Sequence, residues 1–212
     1  MKPYFQDSHC TIYHGDCRDI LPTLEPVDLL LTDPPYGIGY NATKSNLPNS
    51  KSFKDIANDE GNFDFKFLFD FPAKDRVIFG AENFYQYLPH RGRWLVWDKR
   101  VNPVCDAMLG SPFEIAWMDK KSGYYKIIRL QHGGVVNADK QIRKHPTQKP
   151  VNLLSQIIDF YPLSESILDP FMGSGSTLRA AKDLNRKAIG IELEEKYCEI
   201  AAKRLSQEVL PL

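Results

Sequence analysis

Short apolar runs alternate along the chain with longer segments whose apolar residues recur at helical spacing. The runs begin near seven residues: Thr11, Val27, Arg76, Arg93, Phe113, Ser166 and Lys187. A short apolar run bounded by turn residues is typical of a strand that is buried on both faces of a parallel sheet. Residues 151–161 and 178–184 instead place apolar side chains every three or four positions, which predicts helices. The pattern therefore predicts an α/β protein with seven strands.

The segments between these runs are less regular. Residues 62–72 carry Phe at alternate positions, as a strand would, but their place before the next strand favours a helix, and we predict a helix there. We also predict a helix from Glu82 to Leu88. Residues 41–62 are rich in Asn, Ser, Lys and Gly without an apolar period, which predicts a long loop. Its lysines could contact phosphate, although a solvated loop explains them equally well.

The composition limits the architecture and the kind of partner. A chain of 212 residues with 42% hydrophobic content fits one α/β domain with an insertion better than two domains. The 27 basic and 27 acidic residues balance, which excludes a broadly basic nucleic-acid coat but not a local basic face. The four cysteines form no C-x-x-C pair, so neither a metal site nor a disulfide framework is expected. With no signal-peptide pattern and no long apolar run, we expect a cytoplasmic protein outside the membrane.

Residues 119–145 differ from the rest of the chain because positive charge is concentrated there. The segment contains seven Lys or Arg against two Asp, with Tyr, Gln, His and Asn between them. Basic side chains neutralise phosphates, and polar or aromatic side chains reach base edges. We therefore predict a short DNA-recognition insertion within a single catalytic domain that spans residues 1–212. The alternative is an insertion that only faces solvent, because such a segment would also be basic and polar.

The run that begins at Val27 leads directly into Asp33, Pro34, Pro35 and Tyr36. The two prolines make a stiff corner that offers hydrogen-bond acceptors and no backbone donor. With the Asp33 carboxylate, this corner suits a group that only donates, such as an exocyclic amine. Tyr36 supplies a flat surface on which a base could stack, an interaction worth ~1–3 kcal/mol per base. The alternative is a proline-capped strand end with a surface Asp and a packed Tyr.

A second strand end carries a glycine turn. The run from Ser166 leads into a turn that contains Gly173 and Gly175, and Glu192 follows Gly173 by 19 residues at the end of the next strand. This spacing lets an acid accept hydrogen bonds from the two hydroxyls of a ribose. The turn lacks the third glycine of the dinucleotide fingerprint and the Lys-Ser/Thr of a phosphate-binding loop. A nucleoside cofactor without phosphates, S-adenosylmethionine, therefore fits better than NAD or ATP.

Three further residues are candidates for contacts to the cofactor. Asp16 follows the first strand on the ligand-binding edge of the sheet, although it is equally suited to cap the helix that begins at Cys17. Thr147 and Lys149 come just before a helix and could bind a carboxylate.

These motifs resemble those of the DNA amino-methyltransferases that modify adenine N6 or cytosine N4. Residues 33–36 are similar to the catalytic motif of that family, residues 169–175 to its cofactor motif, and residues 145–150 to the segment before it. The order, with the catalytic motif first, resembles the permuted β arrangement. The resemblance implies a doubly wound, mostly parallel seven-stranded sheet of the Rossmann-like methyltransferase type. It also implies that S-adenosylmethionine contacts residues in and just after the cofactor motif, namely Asp169, Phe171, Gly173, Ser174, Gly175 and Thr177.

The leading interpretation is a methyltransferase that flips adenine out of double-stranded DNA and methylates N6, because Asp rather than Ser opens the corner. The alternatives are a cytosine-N4 DNA methyltransferase, an RNA adenine methyltransferase and a non-catalytic nucleic-acid-binding regulator. In the enzymatic reading Asp33 and Pro34 orient the amine and stabilise positive charge as it develops on nitrogen. The recognition sequence, a restriction partner and dimer formation are left open by the sequence.

Overall fold

The computed structural model describes residues 2–36, 64–100, 111–119, 126–133, 136–137 and 148–207, with only the backbone of 132–133 and 136–137. The strands are β1 (Phe5–Gln6), β2 (Cys10–His14), β3 (Val27–Thr32), β4 (Ala73–Phe79), β5 (Arg93–Asp98), β6 (Phe113–Met118), β7 (Lys126–Arg129), β8 (His132–Gly133), β9 (Val136–Asn137), β10 (Ser166–Asp169) and β11 (Lys187–Glu192). The α-helices are α1 (Cys17–Ile20), α2 (Lys66–Asp70), α3 (Val151–Asp159), α4 (Ser176–Asp183) and α5 (Glu195–Leu205). Two 3₁₀ helices span Leu21–Thr23 and Ala81–Tyr87.

Nine of the strands form one mixed sheet in the order β1-β2-β11-β10-β3-β4-β6-β5-β7. The strands from β2 to β4 in this order are parallel, and β7 is parallel to β5. The strand β6 runs antiparallel to both of its neighbours, and β1 is antiparallel to β2. The predicted α/β class with a mostly parallel sheet is confirmed, with two more strands in the sheet than the seven predicted.

Both additional strands lie at the edges of the sheet. The strand β1 has only two residues, too few for an apolar pattern. The strand β7 lies inside the basic segment 119–145 and pairs with β5, so this part of the predicted insertion belongs to the main sheet. Most of that segment, and the predicted loop 41–62, lie outside the described residues.

Helices cover both faces of the sheet. On one face α3, α4 and α5 bury side chains such as Leu153, Leu178 and Ala201 against the strands. On the other face α1, α2 and the 3₁₀ helix Ala81–Tyr87 pack over the sheet. The predicted helix in 62–72 is confirmed as α2, because burial of Phe65 and Leu68 follows helical spacing and Phe65 stacks on Phe84 with 4.2 Å between ring centroids. In the described part of the chain, no helix has the length and apolar character needed to cross a bilayer.

Candidate active site

The two predicted motifs meet at one edge of the sheet. The strands β3 and β10 are parallel neighbours, with Leu30 paired to Leu168, so both strands end on the same side. The Thr32 hydroxyl donates a hydrogen bond of 2.8 Å to Asp169 Oδ1, which joins the last residue of β3 to the last residue of β10. The acidic corner and the glycine turn are therefore adjacent. This is the relationship on which the prediction of a methyl donor beside a methyl acceptor depends.

Both carboxylate oxygens of Asp33 have partners within the protein. The Tyr36 hydroxyl donates to Oδ1 over 2.6 Å, and the Lys149 ammonium contacts Oδ2. The sequence predicted a corner that offers only acceptors, whereas the structure places two donors on its carboxylate. A substrate amine must therefore compete with Tyr36 or Lys149 for Asp33.

The position of the Tyr36 ring depends on Gly80, which directly follows β4. A Cβ atom at Gly80 would lie 1.9 Å from Cε1 of the Tyr36 ring, and Gly80 adopts a left-handed φ of +65°. A side chain at this position would be both strained and in steric conflict with the ring. Gly80 thus provides the space in which Tyr36 reaches Asp33. This role was not predicted from the sequence.

Lys149 is the centre of a buried network of alternating charges. Its side chain is only 9% exposed, and its ammonium contacts Asp33 and lies 3.1 Å from Glu114 Oε2. The same ammonium lies 4.9 Å from the centroid of the Phe79 ring. The other oxygen of Glu114 accepts a hydrogen bond from Lys99. Two carboxylates and two ammonium groups therefore balance one another beside the corner.

The charges of this network shift the pKa values of its members. Burial raises the pKa of Asp33 above its ordinary value, although the adjacent Lys149 ammonium opposes the rise. Burial also disfavours the charged form of Lys149, but Asp33 and Glu114 outweigh it and raise the pKa of the ammonium well above its usual value. For Glu114, burial is outweighed by Lys149 and Lys99, which lower its pKa to about 2. Glu114 and Lys149 therefore form an ion pair at neutral pH.

Asp169 holds the glycine turn through its own hydrogen bonds. Its Oδ1 accepts from Thr32 and from the Phe171 backbone N–H at 3.1 Å, and its Oδ2 accepts from the Thr177 hydroxyl at 2.6 Å. Burial raises its pKa to about 6, although these donors stabilise the carboxylate. The structure thus gives Asp169, Phe171 and Thr177 positions in the turn. Their predicted contacts with a cofactor stay predictions.

The glycine at the start of α4 is required by helix packing. Gly175 has a φ of +76°, and a Cβ atom there would lie 2.7 Å from Cβ of Ala201 in α5. The close approach of the two helices therefore excludes a side chain at this position. Gly173 and Ser174 precede it in the same turn, between β10 and α4. The residues predicted to approach a cofactor closely thus lie in the turn that directly follows β10, whose last residue, Asp169, is hydrogen-bonded to Thr32 at the end of β3.

The segment before α3 contacts both motifs. Gln148 Oε1 accepts a 3.1 Å hydrogen bond from the Ser174 hydroxyl in the glycine turn, while the next residue, Lys149, contacts Asp33. In the free protein, the carboxylates of Asp33 and Glu114 hold the Lys149 ammonium. The predicted binding of a cofactor carboxylate by Lys149 stays a prediction. Thr147 lies outside the described residues. Pro150 is the N-cap of α3.

The two remaining acids, Glu192 and Asp16, lie at or just beyond the ends of the neighbouring strands β11 and β2. Glu192 ends β11, its Oε1 accepts a 2.7 Å hydrogen bond from the Glu194 N–H, and burial raises its pKa to about 7. Asp16 follows β2, caps α1 by accepting from the Arg18 N–H at 2.9 Å, and forms an ion pair with the Arg18 guanidinium. The helix-capping alternative for Asp16 is therefore confirmed. Contact of either acid with a cofactor stays a prediction.

Two functional candidates, Glu114 and Lys99, were not found from the sequence. Glu114 interrupts an otherwise apolar strand, and this charge in an apolar run was the available signal. Because β6 is antiparallel, its first residues lie at the edge where the neighbouring parallel strands end. The direction of β6 is not visible in the sequence, so a functional residue at the beginning of this reversed strand was not predicted.

A glycine turn after one parallel strand and an acid at the end of the next are typical of α/β proteins that bind a nucleoside-containing cofactor. Comparison with known proteins gives the family. The N6/N4 methylase family model, described as DNA methylase, matches residues 91–203. The type II methyltransferase M2.DpnII of Streptococcus pneumoniae is 30% identical over 253 residues, which cover 98% of this chain and 93% of that protein. The chain belongs to the N6/N4 DNA methyltransferase family.

Other relatives extend this comparison. The type II methyltransferase M2.LlaDCHI of Lactococcus lactis subsp. cremoris is 29% identical over 255 residues, which cover 97% of this chain and 93% of that protein. The solved complex of M1.HpyAVI with S-adenosylmethionine has a TM-score of 0.57 at 23% identity, covering 92% of this chain and 99% of that one. The cytosine-N4-specific PvuII DNA methyltransferase has a TM-score of 0.62 at 17% identity, and the match covers 99% of this chain and 91% of that one. These solved structures share the fold.

Proposed function

We propose that the protein transfers a methyl group from S-adenosylmethionine to the exocyclic N6 of adenine in DNA. The observation that carries this proposal is the hydrogen bond between Thr32 and Asp169, which holds the acidic corner next to the glycine turn. Membership of the N6/N4 DNA methyltransferase family supports the reaction class.

The glycine turn and the end of β11 provide groups that fit S-adenosylmethionine. Gly173, Ser174 and Gly175 would let the backbone approach the cofactor, and Glu192 would accept hydrogen bonds from its ribose hydroxyls. The absence of a phosphate-binding lysine in the turn suits a cofactor without phosphates. When bound, this cofactor supplies an electrophilic methyl group on a sulfonium. The protein's own contribution is to place that group beside Asp33.

The acidic corner would prepare the amine for attack. Asp33 and the Pro34 carbonyl each accept one N–H of the amino group, which favours a nitrogen whose lone pair points towards the methyl group. Reacting atoms held at ~3–3.5 Å would supply much of the rate gain by positioning. The lone pair forms the new N–C bond while the S–C bond breaks and its electron pair stays on sulfur. The Asp33 carboxylate stabilises the positive charge on nitrogen and can accept the proton that this nitrogen then loses.

The target base has to leave the duplex to reach this corner. Extrusion costs a few kcal/mol, and stacking of the base on Tyr36 would offset part of that cost. The ring of Tyr36 packs against Gly80 and its hydroxyl is bonded to Asp33. Tyr36 would therefore present its ring to the base from a position that these two contacts fix.

Adenine is favoured over cytosine because Asp33 rather than Ser opens the catalytic motif. The fold does not discriminate between the two bases, since the cytosine-specific PvuII enzyme shares it. The family comparison names DNA as the substrate class, which favours DNA over RNA. It gives no support to a purely regulatory role.

Recognition of DNA is proposed for the basic segment 119–145. Within it, Lys126 and Arg129 are placed on the edge strand β7, where Arg129 lies 3.5 Å from Asp98. The alignment with M2.LlaDCHI spans 255 positions, more than the 212 residues of this chain, so that relative contains segments without a counterpart here. A compact recognition region suits a short target sequence.

The decisive experiment is direct identification of the methylated base. The protein is incubated with isotopically labelled S-adenosylmethionine and, in parallel, with duplex DNA or structured RNA, and the hydrolysed nucleosides are analysed by mass spectrometry. We expect labelled N6-methyladenine from DNA. Labelled N4-methylcytosine would support the alternative base, and label in RNA alone would contradict the proposal for DNA.

A further inference from the structure

We propose that Glu114 is a positioning residue that takes the Lys149 ammonium from Asp33 when the target amine enters the corner. Transfer of the ammonium to Glu114 leaves Asp33 Oδ2 available to accept an N–H of the amine. The inference deepens the proposed function and rests on it, because it requires an amino group to bind at Asp33.

The contacts of Lys149 support a short movement between two carboxylates. Its ammonium contacts Asp33 Oδ2 and lies 3.1 Å from Glu114 Oε2. Among the described residues, this Glu114 oxygen is shielded from solvent and lacks a hydrogen bond of good geometry. A small rotation of the Lys149 side chain would complete that bond. Glu114 thus offers a second acceptor that is close by and only partly used in the free protein.

The electrostatics of methyl transfer give this movement a purpose. In the free protein a buried Asp33 carboxylate needs a counter-ion, and Lys149 provides it. During methyl transfer the same ammonium would be unfavourable, because it cancels the negative charge that stabilises the developing positive nitrogen. Complete removal of a buried ammonium into solvent is not required if Glu114 receives it. The positive charge then stays paired before and after the amine binds.

Lys99 fixes the receiving carboxylate in place. It binds Glu114 Oε1, and its own ammonium lies 4.8 Å from the centroid of the Trp97 ring. Glu114 is thereby held through one oxygen while the other faces Lys149. This contact with Lys99 would keep the Glu114 carboxylate in place as Lys149 moves towards it.

The test replaces Glu114 by its neutral isostere, Glu114→Gln. We expect S-adenosylmethionine to bind with unchanged affinity in calorimetry, and the single-turnover rate of methyl transfer to fall by ~10-fold or more, because Lys149 stays on Asp33. The KM for DNA should change little, since the effect falls on the chemical step. An unchanged single-turnover rate would overturn the proposal.

The pH dependence separates positioning from a merely structural role. Within the described ranges of the chain, the charged or titratable groups around Asp33 and Glu114 are Tyr36, Glu82, Lys99, Lys149 and Asp169. The Glu114 charge raises the pKa of Asp33, so Glu114→Gln should shift the acidic limb of the single-turnover rate to lower pH. A variant that only loosens the fold would lower the rate and leave this limb in place, and that result would also overturn the proposal.

Two further variants keep the test decisive. Glu114→Asp retains the negative charge but moves it away from Lys149, so we expect a reduced single-turnover rate whose acidic limb is not shifted. If Glu114→Gln fails to fold, a wild-type single-turnover rate in Glu114→Asp overturns the inference. Glu199→Gln removes the same charge from the exposed pair with Lys203 and should match wild type. If the wild-type protein itself methylates no adenine, the proposed function falls instead.

Discussion

The Lys149 ammonium contacts Asp33 Oδ2, and this ion pair joins the segment before α3 to the end of β3. In the free protein the charge of the Asp33 carboxylate is thus already balanced by the buried ammonium of Lys149. Catalysis would then depend on a rearrangement of existing bonds around Asp33 as well as on binding of the base.

We expect Asp33→Asn to abolish most methyl transfer while S-adenosylmethionine still binds. The amide retains one acceptor oxygen but loses the charge that stabilises a cationic nitrogen, so a decrease of ~10²–10³-fold in the single-turnover rate is expected. Rapid-quench measurement of the methylated base, with calorimetry of cofactor binding, checks both parts. A variant with near wild-type turnover would remove Asp33 from the mechanism.

Gly80→Ala should lower activity through Tyr36. The new Cβ atom would lie 1.9 Å from the Tyr36 ring, so the ring must move and its hydrogen bond to Asp33 must break. We expect weaker binding of a flipped base, measured by the fluorescence of 2-aminopurine at the target position. Tyr36→Phe is the matched control, because it removes the hydroxyl and keeps the ring. If Gly80→Ala flips the base as well as wild type, the proposed stacking role of Tyr36 is wrong.

Cofactor affinity should depend on the protonation of Glu192. Burial raises its pKa to about 7 in the free protein, and hydrogen bonds from ribose hydroxyls favour the carboxylate, so binding below this pH must release a proton. The affinity for S-adenosylmethionine should therefore fall as the pH drops below 7, by at most about tenfold per pH unit. Calorimetry between pH 6 and 8 measures this slope. In Glu192→Gln the slope should disappear, and a slope that persists would have to come from another group, such as Asp169.

Gly175→Ala should destabilise the protein by pressing α4 against α5. The added methyl group meets Ala201 Cβ at 2.7 Å, and the residue must also hold a left-handed φ. We expect the free energy of unfolding to fall by ~1–3 kcal/mol in urea titrations. The double variant Gly175→Ala with Ala201→Gly removes the steric conflict but not the strain, so it should recover part of the loss. Purely additive effects of the two substitutions would exclude a direct conflict between these positions.

Local patterns in the sequence predicted the parts of the site that follow parallel strands. Apolar runs located β3 and β10, and the rule that parallel strands end at the same edge correctly brought Asp33 next to the glycine turn. The contact between Lys149 and Asp33 was not predicted, because it joins residues that are 116 positions apart. Glu114 was missed because the reversed direction of β6 depends on the order of strands in the finished sheet. Such long-range relationships leave no periodic signal in the chain.

Gln148 and Lys149 are consecutive residues, yet one holds the glycine turn through Ser174 and the other holds Asp33. A rigid proline, Pro150, connects them to α3, whose buried face packs against α4. The two halves of the reaction centre consequently share one mechanical support. A change in the packing of α3 would disturb the positions of the methyl donor and the methyl acceptor together. Substitutions along this helix, distant from the reacting atoms, should therefore alter the affinities for both substrates.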